Sequence, residues 1–420
     1  MGILNRLVAR LKPASSCRKP CIIPREQHNI SRKDISEACL KVLYRLHNAG
    51  FQAYLVGGSV RDLLLGRTPK DFDVVTDAHP DKVRDVFRNS RLIGRRFKLV
   101  HVFYDNEIIE VSTFRSTESE QGIGMHDNQY GTLEEDVWRR DFTVNALYYN
   151  IADYSVVDYV GGMQDLQKRT IRVIGNPEKR FEEDPIRLLR AIRLSAKLDF
   201  AISPDIETCF QSMRSFIQKV SPARVFDELL KIFFMGHSHV TYHALMQYDY
   251  MSLFFPQLVK TLNQPHSDEG AHFIEKCLLA SDQRFSDNLP INPGFLFAVF
   301  LWPTLQERLK KHPMYKKRFF YALHSCVGDV LQKQVQTLKI PKRFTAMMRD
   351  IWLLQYHLKR KRGRRVYRTF SHRYYRAGID FMALRVANGE SQQDLVDWWR
   401  TFEVATASER EKMCGSLDPT

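Results

Sequence analysis

The spacing of apolar residues changes near residue 160, and this change restricts the possible fold more than any other feature of the sequence. Before it, short apolar or alternating runs separated by turn residues predict the strands of a small mixed sheet. The predicted strands are AYLV (53–56), FDVVT (72–76), LVHVFY (99–104), IIEVSTF (108–114) and ALYYNI (146–151). After it, apolar residues recur at helical spacing, and no comparably convincing strand follows. The sequence therefore predicts an α+β chain, with an N-terminal mixed β-sheet head followed by an all-α remainder.

The chain is basic, with a formal net charge of +15 over 420 residues. Such an excess favours a polyanionic partner, either nucleic acid or an anionic membrane surface. No apolar run is long enough to span a bilayer. The seven cysteines are scattered and odd in number, so they predict free thiols and a reducing, cytoplasmic location.

The first dozen residues, MGILNRLVARLK, combine basic residues with apolar residues at helical spacing. This pattern lacks the long apolar region of a signal peptide. It is compatible with a helix that makes weak contact with a membrane surface, or with a loosely ordered tail.

Two acidic residues, Asp71 and Asp73, stand two positions apart at a predicted strand. Side chains alternate along a strand, so both carboxylates are expected on one face and Phe72 on the other. Two carboxylates at this spacing repel each other unless a cation offsets them, and Mg²⁺ prefers one or two carboxylates together with substrate phosphates. The pair is therefore a candidate metal site, although the D-x-D pattern by itself also fits a solvated strand end.

A glycine turn comes just before the acidic pair. Gly57, Gly58 and Ser59 follow the strand at 53–56 and lead into the helical stretch VRDLLLG. Exposed backbone N–H groups at such a turn attract phosphate, the Ser59 hydroxyl can add a donor, and Arg61 lies where a bound anion would meet it. The Walker and dinucleotide-binding spacings are absent. A phosphate-binding turn followed by a metal-binding strand is the arrangement expected for nucleotidyl transfer.

Glu110, in the predicted strand IIEVSTF, is a candidate third carboxylate. If that strand lies beside FDVVT, Glu110 can reach the same ions. The alternative is a charged residue on the solvated face of an edge strand.

The segment RRDFTVNALYY is dense in polar groups. Arg139, Arg140 and Asp141 are followed by Thr143 and Asn145, which are predicted to share one alternating face. The guanidinium group of arginine can form paired hydrogen bonds with the phosphates of a nucleotide, and Asp and Asn side chains can hydrogen-bond to its sugar hydroxyls. A surface cluster of salt bridges has the same composition.

The segment FEEDPIRLLR predicts the start of a helix, with Glu183 and Asp184 before Pro185. Acids at this position favour the helix dipole, and Arg187 three residues after Asp184 completes a surface pair. The Asp184 carboxylate is also a hydrogen-bond acceptor beside the N–H donors of the Arg187 guanidinium. Together they can imitate the Watson–Crick edge of a base and so select the incoming nucleotide. The spacing leaves both interpretations open.

A strongly basic segment lies between residues 341 and 376, where 12 Lys or Arg accompany one acid, Asp350. Aromatic residues at 367, 370, 374 and 375 alternate with the cations. Cations displace counterions from phosphates and aromatic faces stack on unpaired bases, so the segment predicts an RNA-binding surface. A solvated charged helix is the alternative. The candidate RNA-binding residues are Lys359, Arg360, Lys361, Arg362, Arg364, Arg365, Arg368 and Arg373.

Five motifs, in this order, resemble those of the class II nucleotidyltransferases, the family of bacterial poly(A) polymerases and tRNA CCA-adding enzymes. They are LVGGSVRDLLLG, DFDVVT, IIEVSTFR, RRDFTVNALYY and EEDPIRLLRAIR. The resemblance covers roughly residues 35–230. The stretch SRLIGRRFKLVHVFY and the later helices resemble the polymerase branch, so the resemblance favours poly(A) polymerase over CCA addition.

The resemblance implies a palm-like nucleotidyltransferase head and helical domains that hold RNA. The implied domains are a flexible basic tail (1–30), the head (31–160), a neck with the base-recognition helix (161–235), a body (236–350) and a basic RNA-binding tail (351–420).

The resemblance also implies roles for the residues discussed above. The candidate ATP-binding residues are Gly57, Gly58, Ser59, Arg61, Asp62, Arg139, Arg140, Asp141, Asn145, Glu183, Asp184 and Arg187. The candidate metal ligands are Asp71, Asp73 and Glu110, and the candidate catalytic residues are Asp71, Asp73 and Asp141.

The implied reaction is template-independent transfer of AMP from ATP to RNA 3′ ends, with release of pyrophosphate, in RNA polyadenylation and decay. The implied cofactor is a pair of Mg²⁺ ions, with Mn²⁺ able to substitute. RNA 3′ ends and ATP are the implied partners, and no DNA template is used. CCA addition to tRNA and a catalytically inactive RNA-binding protein on the same scaffold are the alternatives.

Overall fold

The computed structural model describes residues 19–94, 98–105, 107–116, 129–265 and 267–415. The amphipathic stretch at residues 1–12 and the arginines at 95 and 96 lie outside these ranges. Contacts divide the chain into two units: the first runs to Arg187 and includes Asp199–Cys209, and the second comprises Leu188–Leu198 and the chain from Phe210 onward. The domain boundaries implied by the resemblance stay predictions. Among the described residues, no helix combines the length and apolar character that a membrane span requires.

The first unit is built on an eight-stranded mixed sheet. Its strands are β1 (Cys21–Ile23), β2 (Ala53–Val56), β3 (Asp73–Thr76), β4 (Ser90–Ile93), β5 (Leu99–Tyr104), β6 (Glu107–Thr113), β7 (Leu147–Asn150) and β8 (Val156–Asp158). They are arranged in the order β1-β8-β7-β2-β3-β6-β5-β4. Strands β3 and β6 run parallel, and the other neighbours are antiparallel. The parallel pair lies at the middle of the sheet, where both neighbours of each strand are present.

The helices and short strands of the first unit connect and cover this sheet. They are α1 (Glu37–Asn48), α2 (Gly58–Leu64), α3 (Pro80–Val86), α4 (Leu133–Trp138), α5 (Gly162–Gln167), β9 (Thr170–Ile171), α6 (Pro177–Glu183), the start of α7 (Ile186–Leu198), β10 (Ala201–Ile202) and the start of α8 (Pro204–Ser212). Helix α1 packs against β2, β3 and β6 through a buried apolar face. Its first turn is capped by the Ser36 hydroxyl, which accepts from the Cys39 N–H at 3.1 Å.

The sequence located five of the eight strands of this sheet and missed β1, β4 and β8. Strands β2 and β5 have the predicted bounds. Strand β1 corrects the prediction of a flexible tail through residue 30, because Cys21–Ile23 pairs with β8. Strands β9 and β10 pair with each other beyond residue 160, where no strand was predicted. Strands of two or three residues are too short to show a hydrophobic period.

Asp158 closes the turn between β8 and α5. Its side chain is buried, and it accepts backbone N–H groups from Val160, Gly161, Gly162 and Met163 at 2.8–3.0 Å. A Cβ atom at Gly162 would collide with the backbone of Thr143, so this turn packs tightly against the 3₁₀ turn Thr143–Asn145. The turn thus supports the segment that carries Asn145.

Replacing Asp158 with alanine is expected to lower the free energy of unfolding by about 2–3 kcal/mol, because four buried or half-buried N–H groups lose one acceptor. Urea unfolding followed by circular dichroism measures this loss. Asp153→Ala is the matched control: Asp153 is exposed and accepts from the N–H and hydroxyl of Ser155, two residues later, so a loss below about 1 kcal/mol is expected. Equal losses in the two variants would contradict the prediction.

The second unit is helical throughout its described residues. Beyond the ends of α7 and α8, its helices are α9 (Pro222–Phe233), α10 (Ser238–Gln247), α11 (Met251–Phe254), α12 (Pro256–Leu262), α13 (Asp268–Ser286), α14 (Pro293–Lys311), α15 (Phe319–Thr337), α16 (Lys342–His357), α17 (Arg364–Phe370), α18 (Tyr375–Ala387), α19 (Gln393–Val404) and α20 (Ala407–Cys414). Buried Phe297 and Phe300 of α14 contact Phe255, and buried Trp352 of α16 donates to the Ala298 carbonyl at 3.2 Å. The six cysteines among the described residues are free thiols, as predicted.

Candidate active site

The candidate active site lies in the first unit, at the start of the central parallel strand pair. Strand β3 begins at Asp73, so Asp71 precedes the strand, and the prediction that both aspartates belong to it is wrong. Both residues are nevertheless exposed while Phe72 between them is buried. The two acids are therefore exposed and Phe72 is buried, as predicted, although Asp71 lies outside the regular strand.

Glu110 is the register partner of Asp73 in the parallel pair. Strand β6 lies between β3 and β5, so the alternative of an edge-strand residue is wrong. Partners in register on parallel strands point to the same face, which brings the two acids together on one side of the sheet. The Glu110 carboxylate also lies 3.7 Å from His101 Nε2 on β5.

The surroundings of Asp73 raise the pKa of its carboxyl to about 6. Loss of hydration is the main cause, since neighbouring atoms displace water although the side chain stays accessible. The charge of Glu110 contributes next and that of Asp71 adds to it, while Arg140 opposes them. An accumulation of negative charge at carboxylate oxygens suits a hard divalent cation.

The acids do not form a preassembled cage. Within the described ranges, no three His, Cys, Asp or Glu side chains converge closely enough to hold a metal ion. Glu110 is therefore near Asp73 without completing a three-ligand cluster with Asp71. A site of one or two carboxylates completed by substrate phosphates, as Mg²⁺ commonly uses, fits these residues better than a closed protein site.

The glycine turn follows β2, the antiparallel neighbour of β3. Gly57 has φ 78° and ψ −133°, a conformation that side chains rarely adopt, and a Cβ atom there would lie 3.8 Å from Arg140 Nη1. The Ser59 hydroxyl is buried and donates to the Val56 carbonyl at 3.0 Å. Ser59 therefore holds the turn to the end of β2, which differs from its predicted use as a phosphate donor.

Arg61 is also engaged within the protein. Its side chain is buried, its Nε donates to Asp62 Oδ1 at 2.8 Å, and its Nη1 donates to Asn145 Oδ1 at 2.5 Å. Asn145 ends a 3₁₀ turn, so the predicted strand-like alternation of Thr143 and Asn145 is wrong. Arg61 thus connects helix α2 to the RRDFTVN segment, which fixes the turn relative to that segment.

Asp136 is a residue of this site that the sequence reasoning missed. It is fully buried in α4, and its carboxylate pairs with both Arg139 and Arg140, the latter at 2.9 Å. The Tyr148 hydroxyl donates to it at 2.7 Å, and the Arg115 backbone N–H donates at 3.2 Å. The available signal was the i, i+3 and i, i+4 spacing in DVWRR, which also fits a surface pair.

The pKa of Asp136 is lowered to about 2. Burial alone would raise it, but the charges of Arg140 and Arg139 and the hydrogen bonds from Tyr148 and Arg139 outweigh burial. Burial in turn raises the pKa of the Tyr148 phenol, so Tyr148 remains a donor at neutral pH. Asp136 therefore stays ionised and fixes two guanidinium groups, of which that of Arg140 lies beside the glycine turn.

Arg180, a second missed residue, links the FEEDPIRLLR segment to the RRD segment. Its Nη2 donates to the carbonyls of Arg139 and Arg140 at 2.7 and 3.0 Å. Its own carbonyl accepts from Arg187 Nη1 at 2.8 Å, and Glu183 accepts from both arginine side chains.

This segment contains the predicted helix start after Pro185, together with the end of α6, which the sequence did not predict. Glu183 is the last residue of α6, Asp184 follows it in extended conformation, and α7 begins at Ile186. Arg187 is held by Glu183 at 3.3 Å, and its backbone N–H donates to the Asp184 carbonyl. Asp141 follows the two arginines in the chain, and its backbone carbonyl accepts from the Ile174 N–H at 3.1 Å. The predicted ATP-binding residues are thus brought together in one unit.

The predicted RNA-binding segment lies in the second unit, around α17. Lys361 forms an ion pair with Asp394 at 3.0 Å, and Arg360 lies over the Tyr356 ring. Of the predicted stacking aromatics, Tyr367, Phe370 and Tyr374 are half-buried against the core, and Tyr375 is buried within it beside Trp399 of α19. The predicted stacking of Tyr375 on RNA bases is therefore wrong, and the stacking role of the three half-buried rings stays a prediction.

Comparison with known proteins assigns this arrangement to a class. Residues 53–172 match the family described as "Poly A polymerase head domain". Residues 199–262 and 315–420 match "Probable RNA and SrmB-binding site of polymerase A" and "Polymerase A arginine-rich C-terminus". The CCA-adding enzyme of Thermotoga maritima, solved in complex with tRNA, has a TM-score of 0.58 at 19% identity and covers 93% of this chain and 94% of its own. Fold and site together define a nucleotidyltransferase.

Two relatives show which branch of this class the chain resembles more, the poly(A) polymerases or the CCA-adding enzymes. Poly(A) polymerase I of Salmonella typhimurium is 44% identical over 99% of this chain and 93% of its own length. A CCA-adding enzyme of Lactobacillus gasseri is 38% identical, but only over 47% of this chain and 50% of its own. The chain belongs to the bacterial poly(A) polymerase family, and it is a template-independent polynucleotide adenylyltransferase. Enzymes of this class use divalent metal ions.

Proposed function

We propose that the first unit binds ATP with its triphosphate at the glycine turn and its α-phosphate near Asp71 and Asp73, and transfers AMP to an RNA 3′ end. The observation that carries this proposal is the neighbourhood of Asp73: an acid in register beside it, a second acid two residues before it, and Arg140 at the adjacent turn. Nucleotidyl transfer needs this combination of negative charge for a cation and positive charge for phosphates.

Two Mg²⁺ ions, replaceable by Mn²⁺, are proposed as the cofactor, with Asp71 and Asp73 as their ligands and Glu110 as a contributor to the local charge. When bound, such ions polarise the attacking hydroxyl and the α-phosphate and stabilise the leaving pyrophosphate. The oxygen-only donor set and the raised pKa of Asp73 support hard divalent cations.

The protein groups in this proposal act by orientation. Asp136 keeps the side chains of Arg139 and Arg140 in fixed positions. Their remaining N–H groups can therefore bind the phosphates with little further loss of side-chain conformational entropy. Gly57 leaves room for close approach to the backbone. Asp141, next in the chain, is proposed to contact the ribose. Arg61, Asp62 and Asn145 are proposed to contribute by supporting the turn and not by touching the nucleotide.

Base selection is proposed to involve Glu183, Asp184 and Arg187. Hydrogen bonds from Arg180 and Arg187 make this segment rigid. A rigid acceptor and donor pair can discriminate adenine from other bases because a mismatched edge leaves buried polar groups unpaired.

The RNA strand is proposed to run along the basic segment of the second unit, from Lys359 to Arg373. Lys359, Arg364 and Arg365 supply exposed or half-exposed cations that attract phosphates. Contact of the first dozen residues with a membrane surface stays a proposal from their sequence alone.

The purified chain should be offered each nucleoside triphosphate separately, with Mg²⁺ and either oligo(A) or a tRNA lacking its last three residues. Long products from ATP alone, and at least about tenfold slower use of CTP, GTP and UTP, are expected. Gel electrophoresis of labelled primers measures both. Addition of two C and one A followed by arrest would overturn the proposal in favour of CCA addition.

A further inference from the structure

A cavity of about 210 Å³ lies in the second unit, beside the start of the basic segment. Aromatic side chains form much of its lining. They are Trp302, Tyr315, Phe319, Trp352 and Tyr356. These residues come from α14, the following turn, the first residue of α15, and the last two turns of α16. The aromatic part of the lining is therefore built around three helices, α14, α15 and α16, that pack together.

Burial separates the aromatic residues into two groups. Trp302 and Trp352 are buried, and each is held by a neighbour: Arg385 lies 4.8 Å from the Trp302 ring centre, and Trp352 donates to a backbone carbonyl. Tyr315, Phe319 and Tyr356 are half-buried. The Phe319 and Tyr356 rings are nearly parallel at 5.8 Å, and Tyr315 lies 5.5 Å from Phe319. The accessible wall of the cavity is thus an aromatic surface.

Two exposed lysines, Lys310 and Lys359, complete the accessible side. The Lys359 ammonium lies 5.6 Å from the centre of the Phe319 ring. Polar groups also line the cavity: Gln306 lies 3.5 Å from Glu390, and Arg385 is paired with Glu390. An aromatic wall beside two cations is the combination that binds single-stranded nucleic acid, because rings stack on bases while ammonium groups meet phosphates.

The volume restricts what can enter. Pockets for drug-sized ligands measure roughly 300–1,000 Å³, so a cavity of about 210 Å³ suits one planar ring system and not a whole nucleotide. The ribose and phosphate of a nucleotide would stay outside, on the side of the lysines.

We propose that this cavity binds one base of a nucleotide, stacked on Tyr315, Phe319 and Tyr356, with the adjoining phosphates at Lys310 and Lys359. The proposal rests on the RNA substrate of the proposed function and assigns a stacking role to these residues in addition to the one predicted for the half-buried rings at 367, 370 and 374. Because the cavity adjoins the basic segment at Lys359, the base is assigned to the bound RNA strand, several nucleotides of which track along the surface. A free nucleotide offers the same base and phosphate groups, and competition by free AMP in the test below distinguishes it from RNA.

The test uses the full chain carrying Asp71→Asn and Asp73→Asn, so that no extension occurs, and oligo(A) RNA containing 2-aminopurine, whose fluorescence falls on stacking. Binding of the labelled RNA is expected to quench the fluorescence. Adding Tyr315→Ala and Phe319→Ala is expected to remove most of the quenching and to weaken RNA binding about tenfold. Tyr321→Ala is the matched control, because Tyr321 is exposed on the same helix and does not line the cavity; its quenching should equal that of the parent.

A second variant avoids any effect on packing. Lys310→Gln with Lys359→Gln leaves every ring in place, and it should lower the slope of log affinity against log salt by about 1.4. Equal quenching in the parent and in the Tyr315 and Phe319 variant would overturn the proposal, as would an unchanged salt slope in the lysine variant. Competition by free AMP would assign the cavity to a mononucleotide, and its absence to RNA. Since stacking is measured without catalysis, failure of AMP transfer by the wild-type chain would count against the proposed function alone.

Discussion

A chain in which Asp71 and Asp73 are both replaced by asparagine is expected to add AMP to RNA at least about 1,000-fold more slowly than the wild-type chain, a barrier increase of about 4 kcal/mol. Asparagine keeps the shape of each side chain and removes its charge. The remaining acid, Glu110, already lies near His101 and faces only one of the two positions. Initial rates of AMP incorporation into oligo(A), at saturating ATP and Mg²⁺, measure the effect.

The matched control is Asp85→Asn on α3, where an exposed aspartate pairs with Lys82 at 3.5 Å. Its rate should stay within twofold of the wild type, since an exposed pair of this kind contributes about 1 kcal/mol or less to stability and nothing to the site. Glu110→Gln is expected to fall between the two, because it removes charge next to Asp73 but leaves both proposed ligands. A double variant that retains a tenth of the wild-type rate would contradict the assignment of the acidic pair.

Local patterns in the sequence were sufficient to predict the centre of the site. The continuous apolar run AYLV and the acids around Phe72 depend only on neighbours in the chain, so β2, and the exposure of Asp71 and Asp73 on either side of buried Phe72, could be predicted from local patterns. Glu110 was predicted conditionally, and the parallel pairing of β3 with β6 satisfies that condition.

What the sequence did not reveal depends on contacts between distant residues. Arg61 reaches Asn145 across 84 residues, and this contact changes its predicted role from an anion-binding residue to a support of the turn. Asp136 has the spacing of an ordinary surface ion pair, and only its burial beneath Tyr148 distinguishes it. Likewise, Tyr375 follows a run of cations in a pattern that fits either RNA stacking or a helix core, and its burial against Trp399 of α19 decides for the core.

Asp136→Asn is expected to lower the free energy of unfolding by about 3–5 kcal/mol at pH 7 and to reduce AMP transfer strongly. Removing one partner of a buried ion pair leaves the other charges without compensation, and here two arginine side chains, each less than one-fifth exposed, depend on one carboxylate. Their loss of orientation beside Gly57 is expected to raise the KM for ATP as well. Urea unfolding and initial-rate kinetics measure the two effects, and Glu134→Gln on the same helix is the control.

The pH dependence of stability gives an independent test of the same residue. The folded-state pKa of Asp136 is about 2, below its ordinary value of 3.8, so the charged form is favoured by folding. The corresponding stabilisation, about 2 kcal/mol, is complete above the unfolded-state pKa and is lost as the pH falls from about 4 through about 2. The wild-type chain should therefore lose stability over this interval more steeply than Asp136→Asn, in which no proton binds at position 136. Parallel stability curves between pH 4 and pH 2 would show that the two arginines do not hold Asp136 in its ionised form.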